Sequence, residues 1–369
     1  MKPKQIKDHT GILSSIFAII LGLIVGLIIL FLCNPEQALP GFATILSGAF
    51  THGAKGVGQV FYYATPIILT GLSVGFAFKT GLFNIGTPGQ FIIGGFGAVY
   101  VGILWTSLGP VHWVVALAAS VILGAVWGLV PGILKAYYNV NEVIASIMMN
   151  YIGMYLVNWI TKSYKPLFNN LRNESKNVAN TANIPKMGLD KIFPGSSVNG
   201  GILIAILVVI LIWVILNKTT FGYELKAVGF NRDASKYAGI NEKKSIILSM
   251  VIAGAIAGLA GGLLFLAGTG KHIEIKDVLP SEGFTGISVA LLGLNNPIGV
   301  LFSGIFIAYL TAGGFYLQLF EFSTEIIDII VAVIIYFSAF ALMVKIIMSK
   351  FVGQKNGKTD ETGKGGKKS

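Results

Sequence analysis

Long apolar runs, separated by short stretches of turn residues or charge, repeat along this 369-residue chain. An α-helix needs about 20 apolar residues to cross about 30 Å of hydrocarbon. On that criterion the pattern predicts ten membrane-spanning helices, near residues 11–33, 61–79, 88–107, 111–131, 143–161, 200–216, 245–268, 283–294, 297–314 and 325–347. The third and eighth are the least regular, because Gly-rich starts leave them short or broken. The predicted fold is an all-α polytopic membrane protein, with a transmembrane domain over 1–352 and a basic tail over 353–369.

Composition agrees with the pattern. The chain is 54% hydrophobic and only 12% charged, with a mean hydropathy of +0.76; a soluble domain carries about 25% charged residues. The net charge of +11 is spread between the spans and in the tail rather than gathered on one face, so membrane topology explains it and nucleic acid does not. One cysteine, Cys33, excludes an internal disulfide framework and a multi-thiolate zinc site. His9, His52, His112 and His272 lie far apart, with no i, i+4 pair to hold a metal. Lys2, Lys4 and Lys7 ahead of the run 11–33 mimic a secretion signal. That run exceeds the about 7–15 residues of a signal core and no small-residue cleavage site follows, so a retained first helix is expected.

With both termini cytoplasmic, ten crossings place eighteen of the 27 Lys and Arg residues inside and nine outside. Six of those nine fall in the long loop 162–199, where the positive-inside rule is weak. That loop, rich in Asn and Lys, reads either as a solvated connection or as a docking segment. The tail is Gly/Lys-rich and is expected to be disordered and drawn to lipid headgroups. Its Gly353–Thr359 stretch is one residue short of a phosphate-binding loop and lacks the flanking strand and helix, so nucleotide binding is not expected there.

Glycines four residues apart, at Gly22/Gly26, Gly71/Gly75, Gly124/Gly128 and Gly254/Gly258/Gly262, predict closely packed helices. Residues 80–90, TGLFNIGTPGQ, are different. They lie between two spans, break the helix with Gly81, Gly86, Gly89 and Pro88, and carry only uncharged polar groups. Freed backbone at membrane depth must find partners other than lipid, and it usually lines a cavity. Asn84, Thr87 and Gln90 offer hydrogen bonds to a polar neutral solute, and Phe83 and Phe91 offer aromatic faces. Alternatively, Asn84 and Gln90 satisfy the broken backbone itself. Lys79, Glu142, Glu325 and Lys345 sit at span ends and Asp328 about one turn into the last span, so no ionisable group is expected at a span centre. No nucleophile with a base, paired carboxylates or metal ligands suggest an intramembrane enzyme.

The loop 217–244 has helical structure of its own. Phe221, Leu225 and Val228 share one helix face, and a second short helix is expected from Asn231 through Ala234 and Tyr237 to a stop at Gly239. In this loop Thr220, Gly222, Leu225, Ala227, Gly229, Asn231, Ala234, Gly239 and Ile240 resemble a pattern of the permease subunits of ATP-binding-cassette importers for ribose, branched-chain amino acids and nucleosides. Lys226 stands where Arg is commoner. Gly254–Gly262 and Leu291–Gly299 resemble later segments of that family, and Gly81–Gln90 looks most like its nucleoside-type members.

The resemblance implies a dimer of permease subunits, from the same or different chains, in a bacterial cytoplasmic membrane. It implies an external substrate-binding lipoprotein and two cytoplasmic ATPase subunits that hold ATP and Mg, with no cofactor on this chain. Gly222, Leu225, Lys226, Ala227, Gly229, Asn231, Arg232 and Gly239 would form the ATPase coupling surface. Phe83, Asn84, Thr87, Gln90 and Phe91 would line the substrate path. A pseudo-repeat is also implied, in which a shift of five crossings inverts one half and sets Gly81–Gly97 opposite Gly283–Gly299. The cargo reads as nucleosides first, then ribose or other sugars, then branched-chain amino acids. A stand-alone channel or carrier for a neutral solute is the reading from a different class.

Overall fold

The computed structural model describes residues 10–323 and part of 325–337. Among the described residues the chain forms α1 (Thr10–Cys33), α2 (Ala38–Thr51), α3 (Gly53–Lys79), α4 (Thr87–Leu104), α5 (His112–Tyr138) and α6 (Glu142–Ser163). A hairpin, β1 (Phe168–Asn169) with β2 (Glu174–Ser175), and the one-turn α7 (Leu189–Ile192) follow. Then come α8 (Gly201–Lys218), α9 (Thr220–Phe230), α10 (Arg232–Tyr237), α11 (Glu242–Phe265), α12 (Ser281–Leu292) and α13 (Pro297–Gly314). Seven of these, α3, α4, α5, α6, α8, α11 and α13, are long and apolar enough to cross a membrane.

Helix starts are fixed by side chains that satisfy orphan amides. Asn141 Oδ1 accepts from Val143 N at 2.9 Å ahead of α6, Asn241 Oδ1 from Lys244 N at 3.0 Å ahead of α11, and Asn296 Oδ1 from Ile298 N at 3.0 Å ahead of α13. α5 ends at Asn139 in the left-handed region, and a 2.9 Å Lys135–Glu142 ion pair joins it to α6.

α11 is the central packing element, lying along α5 and α4, while α3 packs against α12 and α13. The glycine spacing explains the first contact. Gly124 and Gly128 of α5 face Gly254 and Gly258 of α11, and a Cβ on Gly124 would stand 2.7 Å from the Gly258 Cα. Backbone meets backbone there, as small-residue ladders permit. On the outer faces of α5, α6 and α8, Ile122, Trp159 and Leu207 are exposed, as expected of lipid-facing positions.

Three features depart from the sequence expectation. The apolar helix α2 was not foreseen; Gly, Thr and Ser dilute its hydropathy, and its 14 residues fall short of a crossing. The span expected at 283–294 is α12, whose 12 residues cover only about 18 Å. It is a half-length helix buried against α3 rather than a full crossing. The loop 162–199 has folded structure of its own, although many of its residues stay exposed. Its Leu167, Val178, Ala182, Ile184 and Val198 are buried, and it ties down the segment after α11 through Ser175 N to Ile273 O (2.9 Å), Val178 N to Lys271 O (2.9 Å) and Ile184 N to Leu266 O (3.0 Å). Most of the span expected at 325–347, and the tail 353–369, lie outside the described residues.

Candidate functional site: a broken helix entry, a cytoplasmic lid and an outer cavity

The break at residues 80–86 begins where α3 ends. Gly81 takes φ +72, and its amide and that of Leu82 turn back to Phe78 O and Ala77 O, both at 3.1 Å. Thr80 bonds to Ala77 O at 2.9 Å and to the Ser249 hydroxyl of α11. Asn84 and Gln90 then pair reciprocally, Asn84 Nδ2 donating to Gln90 Oε1 at 2.8 Å and Gln90 Nε2 to Asn84 Oδ1 at 3.2 Å. Asn84 Nδ2 also reaches Ser73 Oγ at 3.2 Å, and Ser73 donates to Ala253 O at 2.7 Å. Thr87 Oγ1 donates to Asn84 O at 3.0 Å. The new helix is held by Asn150 of α6, which accepts from Gly89 N at 2.9 Å and donates to Ile85 O at 3.0 Å.

Of the five expected path residues, Asn84, Thr87, Gln90 and Phe91 are therefore buried, and Phe83 is half-buried with its ring 5.1 Å from that of Phe78. The structure joins Asn84, Thr87 and Gln90 in one knot with Ser73 of α3 and, through it, α11, while Phe83 lies against Phe78 and Phe91 against Phe265. The Asn84 and Gln90 amides satisfy each other, and Asn150 of α6 is the side chain that bonds the freed backbone at Ile85 and Gly89, as buried polar groups require.

The second cluster is the helical lid in residues 217–244. Thr219 Oγ1 accepts from Gly222 N at 3.0 Å to start α9, and Asn231 Oδ1 accepts from Ala234 N at 2.9 Å to start α10. Gly239, at φ +81, ends the unit. Leu225 and Val228 are buried, Gly222 lies against the α8 backbone at Ile215 and Leu216, and Lys226 Nζ reaches Asn217 Oδ1 at 3.4 Å. Arg232 anchors α10 to α11 through a 2.9 Å contact with Glu242. Gly229 lies directly on the break in α3: a Cβ there would come 2.6 Å from Lys79 O and 2.9 Å from Gly81 N. Facing away from the bundle, an open groove of about 560 Å³ runs between α9 and α10, lined by Ala227, Asn231 and Ala234 among others. Phe230 (91% exposed) and Tyr237 (94%) stand beside it with no partner of their own bulk. Exposed apolar side chains of that size mark an interaction surface.

The third element was not legible from the sequence. On the far side of the bundle from this lid, a cavity of about 690 Å³ opens between α3, the end of α11, α12, α13 and the segment 269–274. Tyr62, Tyr63, Phe265 and Phe315 supply aromatic walls; Tyr63 and Phe315 are stacked at 5.4 Å and 19°. Thr285, Lys271, His272, Glu274, Glu282 and Asp328 supply polar groups. Lys271 Nζ donates to Tyr62 OH at 2.7 Å at the junction with an adjoining cavity of about 630 Å³ under the folded loop. A hydrogen bond from Lys276, 3.0 Å away, together with its charge, holds the Glu274 carboxyl below its ordinary range.

The floor of this cavity lies deep. Pro66 and Ile67 line it, and Pro66 is the middle residue of α3. α12 starts at the same level, with Gly283 against Pro88 and Gly286 against Thr70. Thus the start of α12 meets the start of α4, and Glu282, in the first turn of α12, shares the cavity with Pro66 and Ile67 of α3. The apolar run begins at Gly283, so Glu282 reads as a flank in the sequence; only the packing of the half-length helix brings it into the cavity.

Residues 56–339 match the family described as branched-chain amino acid transport system / permease component. The chain is 38% identical to the guanosine ABC transporter permease protein NupP of Bacillus subtilis, over 94% of this chain and 98% of that protein. It is 33% identical to the nucleoside ABC transporter permease protein NupB of Lactococcus lactis, over 92% and 93%. The glucose ABC transporter permease protein TsgB13 of Haloferax volcanii is 30% identical, over 76% and 75%. No solved structure matches the chain. The chain therefore belongs to the branched-chain amino acid transport system / permease component family, as a multi-pass membrane protein whose role is transport rather than catalysis.

Proposed function

We infer that this chain is the permease subunit of an ATP-driven importer that moves nucleosides inward across the cytoplasmic membrane by alternating access. The contact of Gly229 with Lys79 and Gly81 carries the reading, because it joins the cytoplasmic lid to the broken helix entry without an intervening side chain. A partner that grips the α9–α10 groove and moves would push on the start of the knot at Asn84–Gln90. That knot adjoins Gly283 and so the floor of the outer cavity. The partners are two ATPase subunits that hold ATP and Mg, a second permease subunit, and an external binding protein that delivers cargo to the outer face. The names of the two relatives above 30% identity that cover nearly the whole chain support nucleosides as that cargo.

A sugar is the second reading, favoured by the glucose permease relative. Labelled guanosine uptake in cells lacking the chain and in cells complemented with it separates the two. Competition by unlabelled nucleosides, with none by glucose or ribose, is the expected result. Competition by sugars but not nucleosides would replace the reading.

A further inference from the structure

We propose that Glu282 is a specificity-determining residue of the outer cavity, reading the base of the transported nucleoside and favouring guanosine. The inference rests on the nucleoside reading and deepens it. A carboxylate is an acceptor on both oxygens. In guanine, N1–H and the 2-amino group are adjacent donors on one edge, spaced to meet the two oxygens together. Hypoxanthine offers N1–H alone. Adenine sets an acceptor N1 beside its amino group, and uracil flanks N3–H with two carbonyls, so each opposes the carboxylate with at least one lone pair.

Three observations place this carboxylate where such reading takes place. Glu282 is half-buried, and its carboxylate has no hydrogen-bond or ion-pair partner among the described residues. It stands in the first turn of α12, next to the contact of Gly283 with Pro88, in the cavity that Pro66 and Ile67 of α3 also line. It shares a cavity of about 690 Å³ with the stacked Tyr63–Phe315 pair, whose faces suit a flat heterocycle. That volume lies within the about 300–1,000 Å³ of small-molecule sites. The remaining acid, Asp328, is exposed, and Glu274 is held by Lys276.

The test compares initial uptake rates of labelled guanosine, inosine and adenosine through the whole transporter in cells carrying the wild-type chain or Glu282→Gln. The delivery protein is the same in both, and chain abundance in the membrane is measured by blot. A glutamine keeps the size but presents one donor and one acceptor, the pattern that adenine matches. The wild type is expected to prefer guanosine, and Glu282→Gln to lower the guanosine-to-adenosine ratio by about tenfold or more, the size of a lost charge-assisted hydrogen bond. An unchanged ratio overturns the proposal. Should Glu282→Gln fail to reach the membrane, Glu282→Asp decides: slower uptake with guanosine still first supports the role, and adenosine first overturns it. A wild type that moves no nucleoside defeats the underlying reading itself. A wild type that moves guanosine with an indifferent Glu282→Gln defeats only this inference.

Discussion

Gly229 of the α9–α10 lid and Gly81 of the broken helix entry meet backbone to backbone, 2.9 Å separating a Cβ built on Gly229 from the Gly81 amide nitrogen. Gly81 needs its positive φ to turn the chain, and Gly229 needs the absence of a side chain to let the lid close on that turn. A displacement of α9 would therefore press directly on the turn at Gly81.

Replacing Gly229 by Val is expected to part the two surfaces. Uptake should fall by tenfold or more while the chain still inserts, since α9 lies outside the spans and overpacking costs about 1–3 kcal/mol. Uptake and membrane abundance measured side by side check this. Wild-type uptake in Gly229→Val would argue against the coupling role.

Asn84→Ala leaves the buried Gln90 amide without its partner. The expected cost is about 1–3 kcal/mol, read as earlier thermal unfolding in detergent. Replacing both residues with Leu should recover part of that loss, because no polar group is then stranded. If the pair touched cargo instead, the double variant would recover stability and still lose uptake.

Gly258→Leu drives a side chain into the α5 backbone at Gly124, on a residue that Gly94 of α4 also packs against. Neither neighbour has a side chain to move aside, so the amount of chain in the membrane should drop several-fold, as destabilised proteins do in cells. Exposed Ile122→Leu, on the lipid face, serves as the neutral comparison.

Tyr63→Ala removes half of the stacked pair in the outer cavity. Base–aromatic stacking is worth about 1–3 kcal/mol, so guanosine uptake should require about five- to a hundredfold more substrate for half-maximal rate. Unaltered concentration dependence would place the base elsewhere.

The spans with uninterrupted apolar runs, such as α5, α6, α8 and α11, were readable because length and hydropathy suffice for them. So was the lid, since Asn231 and Gly239 are local start and stop signals and Leu225 shares a face with Val228. Local signals do not report packing, which is why α12 passed for a full crossing and Glu282 for a flanking residue rather than a cavity-lining one. The outer cavity had no signal at all, because Tyr62, Phe265, Glu282 and Phe315 come from four different stretches and converge only through packing. Residues 80–90 were singled out by composition, yet their hydrogen-bond partners Ser73 and Asn150 lie on other helices and left no mark in the segment itself.

Energy source separates an importer subunit from a stand-alone carrier, and the cavity carboxylate of Glu282 makes that distinction sharper, since carriers also place carboxylates along their paths. The decisive measurement is labelled guanosine uptake in cells complemented with this chain, with ATP depleted in one arm and the membrane potential collapsed at constant ATP in the other. The account predicts that uptake stops with ATP and survives the loss of potential. Uptake that follows the potential, or that purified chain alone supports in liposomes without ATP, would contradict it.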